Sequence, residues 1–565
     1  MKRTLKKLRH HTFDIVIIGG GIYGASVARD AALRGLNVAL IEKDDFGAAT
    51  SANSLRIIHG GLRYLQDGNL KLVRTMTNER ATWLRVAPHL VHPRPFLTPT
   101  YGHFTRSKLA MGIALAVIDS VGFDRNRGVD TQNRMPGGRI LSRAETLERM
   151  NWIGPQTTGG AMWYDAQIYD SERLLIALIA SAADAGAAVA NYVQVNGLLS
   201  VKDSIYGVSA VDRLDGQEFK VNTRLVINCS GAWSDQVLGS LENNSPVQTY
   251  HLSAAINLVI RKLPLDCAIG VPSKGPVTRN GEQDKPETRM LFITPWQEYA
   301  IAGTWHVPCH GCPQDFQVTE DMIQSYIDEL NAAYPVLNLR RQDVYQVHCG
   351  FLPLESENPD GSTIKLLREN RIVDHSQTDG IDNLITVTGV KYTTARQGAE
   401  QAVDLAVNKL GRSPVGCRTT KTAVSGGDFQ SFSEYKKTAL ATRPLEISEE
   451  SMRHLIHSYG TEHKAVLKIT EQEPDLANRV MAGSPVLKAE IVYAVRQEMA
   501  QKLTDVVYRR TPLGKVQLPD INSLRVCAEL MANEAGWDPI RCEEEIAAVS
   551  NQLQSRNSPQ SEGWQ

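Results

Sequence analysis

The segment Phe13 to Lys43, FDIVIIGGGIYGASVARDAALRGLNVALIEK, constrains this chain most, because it encodes a whole strand–turn–helix–strand unit. Asp14 to Ile18 contains the short apolar, β-branched run expected of a buried parallel strand. It leads into Gly19, Gly21 and Gly24 at G-x-G-x-x-G spacing. Gly19 permits the tight turn, Gly21 lets the backbone approach a pyrophosphate, and Gly24 lets the helix close on the strand. The helix N-terminus adds amide donors and a positive dipole end for the phosphates. Val38 to Ile41 reads as the second strand. Glu42 at its end suits both hydroxyls of an adenosine ribose and repels a 2′-phosphate, so the unit selects FAD or NAD over NADP.

At 565 residues the chain is too long for one core, and two or three domains are expected. A formal net charge of −1 argues against a general nucleic-acid binder. No apolar run is long enough to cross a bilayer, and residues 1–11 lack the apolar core of a secretory signal, so the expected location is cytoplasmic. The leader MKRTLKKLRHH carries five Lys or Arg and no acid; it reads first as a solvated arm and second as a contact for anionic lipid headgroups. Lys108 to Phe123, KLAMGIALAVIDSVGF, fits either a core helix or a segment lying at a membrane interface. Scattered cysteines suit reduced thiols. Cys309-His310-Gly311-Cys312 lacks the further ligands of a zinc site and reads as a loop with two free thiols, so no metal is expected.

Further along, Ser171 to Ala187 is a helical pattern followed by a strand near Val189 to Val195. Thr223 to Cys229 is an apolar strand entering Ser230-Gly231, and Asn383 to Thr388 another, entering Gly389-Val390-Lys391-Tyr392-Thr393-Thr394 ahead of an amphipathic helix. Such strand-to-turn points at the carboxyl edge of a parallel sheet are where ligands collect. Tyr250 to Ile260 and Arg289 to Thr304 are β-rich without intervening helices and predict an inserted, mainly antiparallel sheet; beyond Gly426-Gly427-Asp428 the pattern is helical.

With Ile58-His59-Gly60-Gly61-Leu62-Arg63-Tyr64-Leu65, Ala87-Pro88-His89-Leu90, Gly389 to Thr394 ahead of Arg396, and the C-terminal set Glu498, Asp505, Arg509, Arg510 and Thr511, the chain resembles the FAD-dependent, membrane-associated glycerol-3-phosphate dehydrogenases of the D-amino-acid oxidase-like superfamily. The resemblance runs from about residue 12 to about residue 550. It implies an α/β fold, α+β overall: a Rossmann-like FAD-binding domain (12–100, 140–245, 381–412), an inserted antiparallel β substrate domain (101–139, 246–380) and an all-α C-terminal domain (427–554), between the leader 1–11 and a flexible tail 555–565. It further implies hydride transfer from a small hydroxylated substrate to the flavin, reoxidation by quinone or oxygen, and peripheral membrane contact at the inner face of the cell membrane. A homodimer is compatible with it.

By position, Gly19, Gly21, Gly24 and Glu42 would hold the ADP half of FAD, and Thr50 and Ser51 would approach its pyrophosphate and flavin. Val195 would meet adenine, Ser230 and Gly231 the adenosine side, and Gly389, Lys391, Tyr392 and Thr393 the isoalloxazine. Arg63 and Tyr64, with Lys391, would bind substrate, a guanidinium being suited to phosphate or carboxylate.

Three departures stand beside these matches. Ser253-Ala254-Ala255-Ile256-Asn257-Leu258 carries Asn257 where the family has a histidine. Leu352 stands for an arginine, and Gly303-Thr304-Trp305-His306 replaces a Gly-Thr-Thr-Asp segment. The preferred expectation is therefore a flavin dehydrogenase for a different or larger anionic alcohol, with His306 or His59 as base. The alternatives are an authentic glycerol-3-phosphate dehydrogenase and a catalytically silent flavin-binding sensor.

Overall fold

A computed structural model describes residues 1–557 except 66, 103–105, 151–152, 154–155, 242–250, 274–288, 358–363, 414 and 517–518. The strand Ile15–Ile18 is buried on both faces. Ile15 and Ile17 pack on the helices Ile22–Leu33, Ser171–Asp184 and Tyr392–Lys409, while Val16 and Ile18 pack on the other side. Double-sided burial is why this strand reads as an unbroken apolar run rather than an alternating one.

Its sheet has six strands in the order Arg371–Asp374, Leu384–Thr388, Val226–Asn228, Ile15–Ile18, Val38–Ile41, Ala188–Ala190. All neighbours are parallel except the first pair. A four-stranded sheet of Thr12–Phe13, Glu218–Thr223, Ser204–Asp212 and Val193–Val201 covers the face opposite the helices. The strand expected near Val189 to Val195 is thus two strands in two sheets, separated at Tyr192, whose φ is 57°.

A ten-stranded sheet, mostly antiparallel, forms the second lobe, with Leu252–Arg261 between Tyr299–Cys309 and Val344–Glu357. Ile256, Leu258 and Ile260 pack on the helix Glu320–Ala333. Ser253, Ala255 and Asn257 alternate onto the face towards the nucleotide domain. Val91–Thr100 and Gly159–Ile168, which fall within spans expected in the nucleotide domain, also belong to this large sheet. Prolines at 93, 95 and 99 masked the first of them as a strand.

The leader is a correction. Leu5–His10 is helical with Leu8 fully buried, and Arg3 donates to the Asn191 carbonyl and to Asp212. Its basic side chains flank an apolar anchor that the charge pattern obscured. Residues 555–557, expected to begin a flexible tail, end the helix Pro539–Asn557; 558–565 lie outside the described residues. Lys108–Val121 is a helix that buries Leu115 and Ile118 but leaves Leu109 and Ile113 exposed. Among the described residues no helix is long and apolar enough to cross a membrane.

Candidate active site

The carboxyl edge of the six-stranded sheet opens into a cavity of about 2790 Å³ roofed by the large sheet. This exceeds the few hundred to about 1,000 Å³ typical of a small-ligand pocket and has room for a dinucleotide together with a substrate. At one end, Gly19 has φ 103° and a Cβ there would lie 2.6 Å from the Cys229 carbonyl oxygen. At Gly24 a Cβ would lie 1.8 Å from the Gly19 oxygen, so Gly24 serves helix–strand packing and does not line the cavity. A Cβ on Gly21 would meet only the Ser51 hydroxyl within 4 Å. That position opens onto the cavity as a pyrophosphate cradle requires.

Glu42 follows Val38–Ile41 and accepts from the Gly20 and Asp44 N–H groups at 2.6 and 2.9 Å. Burial pushes its carboxyl up to about 7 despite those two donors. Val195, Ser230 and Gly231 complete this end of the wall. Thr50 joins the lobes: its hydroxyl accepts from the Phe351 N–H at 2.9 Å. Ser51 accepts from the Ile22 N–H at 3.0 Å through its hydroxyl and from the Tyr392 hydroxyl at 2.6 Å through its carbonyl. Burial raises the Tyr392 hydroxyl well above its ordinary range, so it remains a donor.

At the other end the helix Tyr392–Lys409 presents its N-terminus, with Gly389 and Lys391 on the wall. The positive helix end has the right sign for a cofactor that gains negative charge on reduction. Gly389 is required because a Cβ would lie 2.0 Å from the Tyr23 hydroxyl oxygen. Thr393 differs from expectation. It is fully buried, off the cavity wall, and its hydroxyl accepts from the His59 N–H at 3.0 Å, so it positions His59.

Arg63, Tyr64, Lys391, His59 and His306 all reach the cavity wall. Arg63 is exposed on the turn Leu62–Leu65 and has no hydrogen bond or ion pair among the described residues. Lys391 donates to the Arg368 carbonyl at 2.5 Å and lies over the Tyr64 ring, 5.2 Å from its centre. Arg368, which sequence reasoning missed for want of a motif, supplies a third cation and pairs with Asp67 at 2.9 Å. Asp165 was also missed. Its carboxylate lies 3.7 Å from His59 Nδ1 and accepts from Gly60 N–H at 2.6 Å and from Arg80. Burial alone would raise Asp165, but His59 and Arg80 outweigh it and hold the group below its ordinary range. One acid within the apolar strand Gly159–Ile168 was the available signal.

Under the large sheet, His306 is in register with Ala255, and its Nδ1 lies 3.3 Å from the Ser253 hydroxyl. Asn257 is not a base: its amide donates to the Asn53 carbonyl at 3.0 Å and accepts from the Thr304 hydroxyl at 2.9 Å. Trp305 faces away and stacks on Tyr326. Leu352 reaches the wall as an apolar group.

This geometry agrees with known proteins. Residues 14–404 match the family model of FAD dependent oxidoreductases, and 417–542 that of the C-terminal domain of alpha-glycerophosphate oxidase. A glycerol-3-phosphate dehydrogenase of Synechocystis is 32% identical over 564 residues, covering 99% of both chains. The chain belongs to the FAD-dependent glycerol-3-phosphate dehydrogenase family. A mitochondrial member from Homo sapiens is 31% identical over 94% of this chain and 72% of its own. The fold matches the FAD complex of the Bacillus halodurans glycerol-3-phosphate dehydrogenase at a TM-score of 0.77, with 22% identity, over 99% of this chain and 98% of that one. The protein is therefore an FAD-dependent oxidoreductase acting on a small-molecule CH–OH substrate, with the mixed α/β lobes and helical C-terminal domain expected from the sequence.

Proposed function

We propose that the protein oxidises a secondary alcohol carrying a phosphate or carboxylate. Arg63, Lys391 and Arg368 hold the anion, and His59 takes the hydroxyl proton. The observation that carries this reading is the exposed Arg63, without a hydrogen bond or ion pair among the described residues, on the same cavity as Lys391 and Arg368. Two fork-shaped guanidiniums and an ammonium match an anionic oxygen cluster. Bound FAD supplies the hydride acceptor. The chain's own part is to orient the carbinol, exclude water beneath Ala255 and Gly350, and accept the proton at His59. Asp165, 3.7 Å from His59 Nδ1, fixes the ring orientation. His306, on the opposite wall, is the second proton acceptor to test.

A second reading, glycerol 3-phosphate itself, is favoured by Arg368. It restores a cation that Leu352 removes, so the anion site is relocated rather than lost. The test is anaerobic addition of glycerol 3-phosphate, then of larger polyol phosphates and hydroxy acids, while following the flavin absorption band. Bleaching by glycerol 3-phosphate at low millimolar concentration supports the second reading. Bleaching only by larger anions supports the first. Bleaching by none supports the silent sensor and overturns both.

Quinone is the proposed acceptor, with oxygen as the alternative, and the proposed location is the inner face of the cell membrane. The exposed Leu109, Ile113 and Phe123 on and beside the helix Lys108–Val121 support peripheral contact, with Arg106 and Lys108 at its start for headgroups. Sedimentation with anionic liposomes, lost in Ile113→Glu, tests it.

A further inference from the structure

We infer that the C-terminal domain is part of the cofactor site: Arg509 and Arg510, acting through Asp45, position the loop 43–51 that walls the dinucleotide end of the cavity. Asp45 lies in mid-loop and is nearly fully buried. Its carboxylate accepts from Arg509 Nε at 2.5 Å, from Arg510 Nη1 and Nη2 at 2.6 and 2.8 Å, and from Asn191 Nδ2 at 2.9 Å. The loop on either side is tied to the glycine turn. Glu42 accepts from Gly20 N–H, Gly47 N–H donates to the Gly20 carbonyl at 3.2 Å, and Ser51 accepts from Ile22 N–H.

The two arginines are consecutive, yet both reach one carboxylate. In a regular helix neighbours point about 100° apart. Here Val506–Arg510 forms a π-turn, a geometry that often marks functional sites. Each arginine is also held from behind. Arg509 donates to Asp505 at 2.6 Å, which accepts from the Tyr192 hydroxyl at 2.6 Å, and Arg510 donates to the Glu498 carbonyl at 3.0 and 3.2 Å. Burial would raise the Asp45 carboxyl, but Arg510 and Arg509 hold it well below its ordinary range, so the anchor stays ionised at working pH. The Lys43 carbonyl and Asp44 receive the Arg213 guanidinium from outside, so Asp45 is the inward-facing acid of the three loop residues 43–45.

A second buried cluster supplies the control. In the C-terminal domain the Glu490 carboxylate lies 2.9 Å from His454 Nε2 and accepts from the Tyr459 hydroxyl at 3.0 Å, and among the described residues it bonds to none of Asp45, its arginines and the loop. If Asp45 and the two arginines merely stabilise the C-terminal domain, breaking either cluster has the same consequence. If they position the loop, only the first weakens cofactor binding.

The experiment measures the FAD dissociation constant of apoprotein by flavin fluorescence, with the melting temperature of each apoprotein recorded alongside. Asp45→Asn and Arg510→Gln are expected to weaken FAD binding about tenfold or more. Glu490→Gln is expected to lower the apoprotein melting temperature as the first two variants do but to keep FAD affinity within about twofold. Unchanged affinity in the first two variants, or equal weakening in all three, overturns the inference. Hydrogen exchange on the unmodified protein gives a readout that needs no variant to fold. FAD binding is expected to slow exchange of residues 506–510, and unaltered exchange there also overturns it.

Discussion

Two histidines where the large sheet meets the C-terminal domain, His92 and His457, are expected to make the protein acid-labile. His92 Nε2 and His457 Nδ1 both approach the carbonyl oxygen of His89, at 3.1 and 3.2 Å, and their rings lie 5.2 Å apart. His457 also stacks on Tyr169 at 5.1 Å and meets Phe432 edge-on. Burial lowers His92 from 6.5 to about 4, against a hydrogen bond with Asn133 and with Lys436 aiding, and lowers His457 to about 3, aided by His92 and Lys436. In both, the folded pKa lies below the unfolded one, so the unfolded chain takes up protons first. The stabilisation is complete above about pH 6.5 and is lost as pH falls towards the folded values. Each histidine costs about 1.4 kcal/mol per pH unit in that window, so the pair removes about 4 kcal/mol by pH 5. Against a total of about 5–15 kcal/mol this is large. The perturbation is His457→Phe, which preserves the aromatic packing and cannot charge. Urea titration at pH 7.5, 6.0 and 5.0, read at the first transition, is expected to give a stability loss between pH 6 and 5 about 1.4 kcal/mol smaller in the variant. Parallel pH profiles for the two proteins would refute the reasoning.

Gly24→Ala places a Cβ 1.8 Å from the Gly19 oxygen and is expected to yield protein without bound FAD, measured as flavin released on denaturation. FAD affinity of the apoprotein is expected to rise as pH passes upward through about 7, where Glu42 ionises and becomes the stronger acceptor for ribose hydroxyls. The profile should flatten in Glu42→Gln; a sloping profile there assigns the titration elsewhere. Asp165→Asn is expected to lower kcat about 100-fold in a dye-linked assay at unchanged FAD content, and a loss under threefold removes the Asp165–His59 pair from the mechanism. Arg63→Met is expected to raise KM about tenfold or more with a smaller change in kcat.

What the sequence made legible was local. Gly19, Gly21, Gly24 and Glu42 act through backbone geometry encoded within about thirty residues, and their spacing carries that meaning directly. Asp165 and His59 are 106 positions apart, with a sheet register rather than a motif bringing them together. Thr393 shows the limit of reading a motif position by position: it adjoins Tyr392 on the wall, yet the helix rotates it into the core. The leader misled because Leu5 and Leu8 are two apolar residues among five cations, too few to register as an anchor. The helical C-terminal domain was visible from its 3.6-residue period, but its break into Lys488–Glu498, Leu503–Asp505 and a π-turn was not, since Met499 at φ 59° carries no glycine or proline signal.

The order of strands in the six-stranded sheet has a consequence for biosynthesis. Ile15–Ile18 leaves the ribosome first but is flanked on one side by Val226–Asn228, which in turn needs Leu384–Thr388, about 370 residues later. At about 5–20 residues per second, roughly 20–70 s pass before that sheet can close. During this time the nascent chain carries a glycine turn without its far wall and an apolar strand with an open edge. Chaperone occupancy of the first 230 residues, and FAD capture only after the strand Leu384–Thr388 and the helix Tyr392–Lys409 have emerged, follow from the topology.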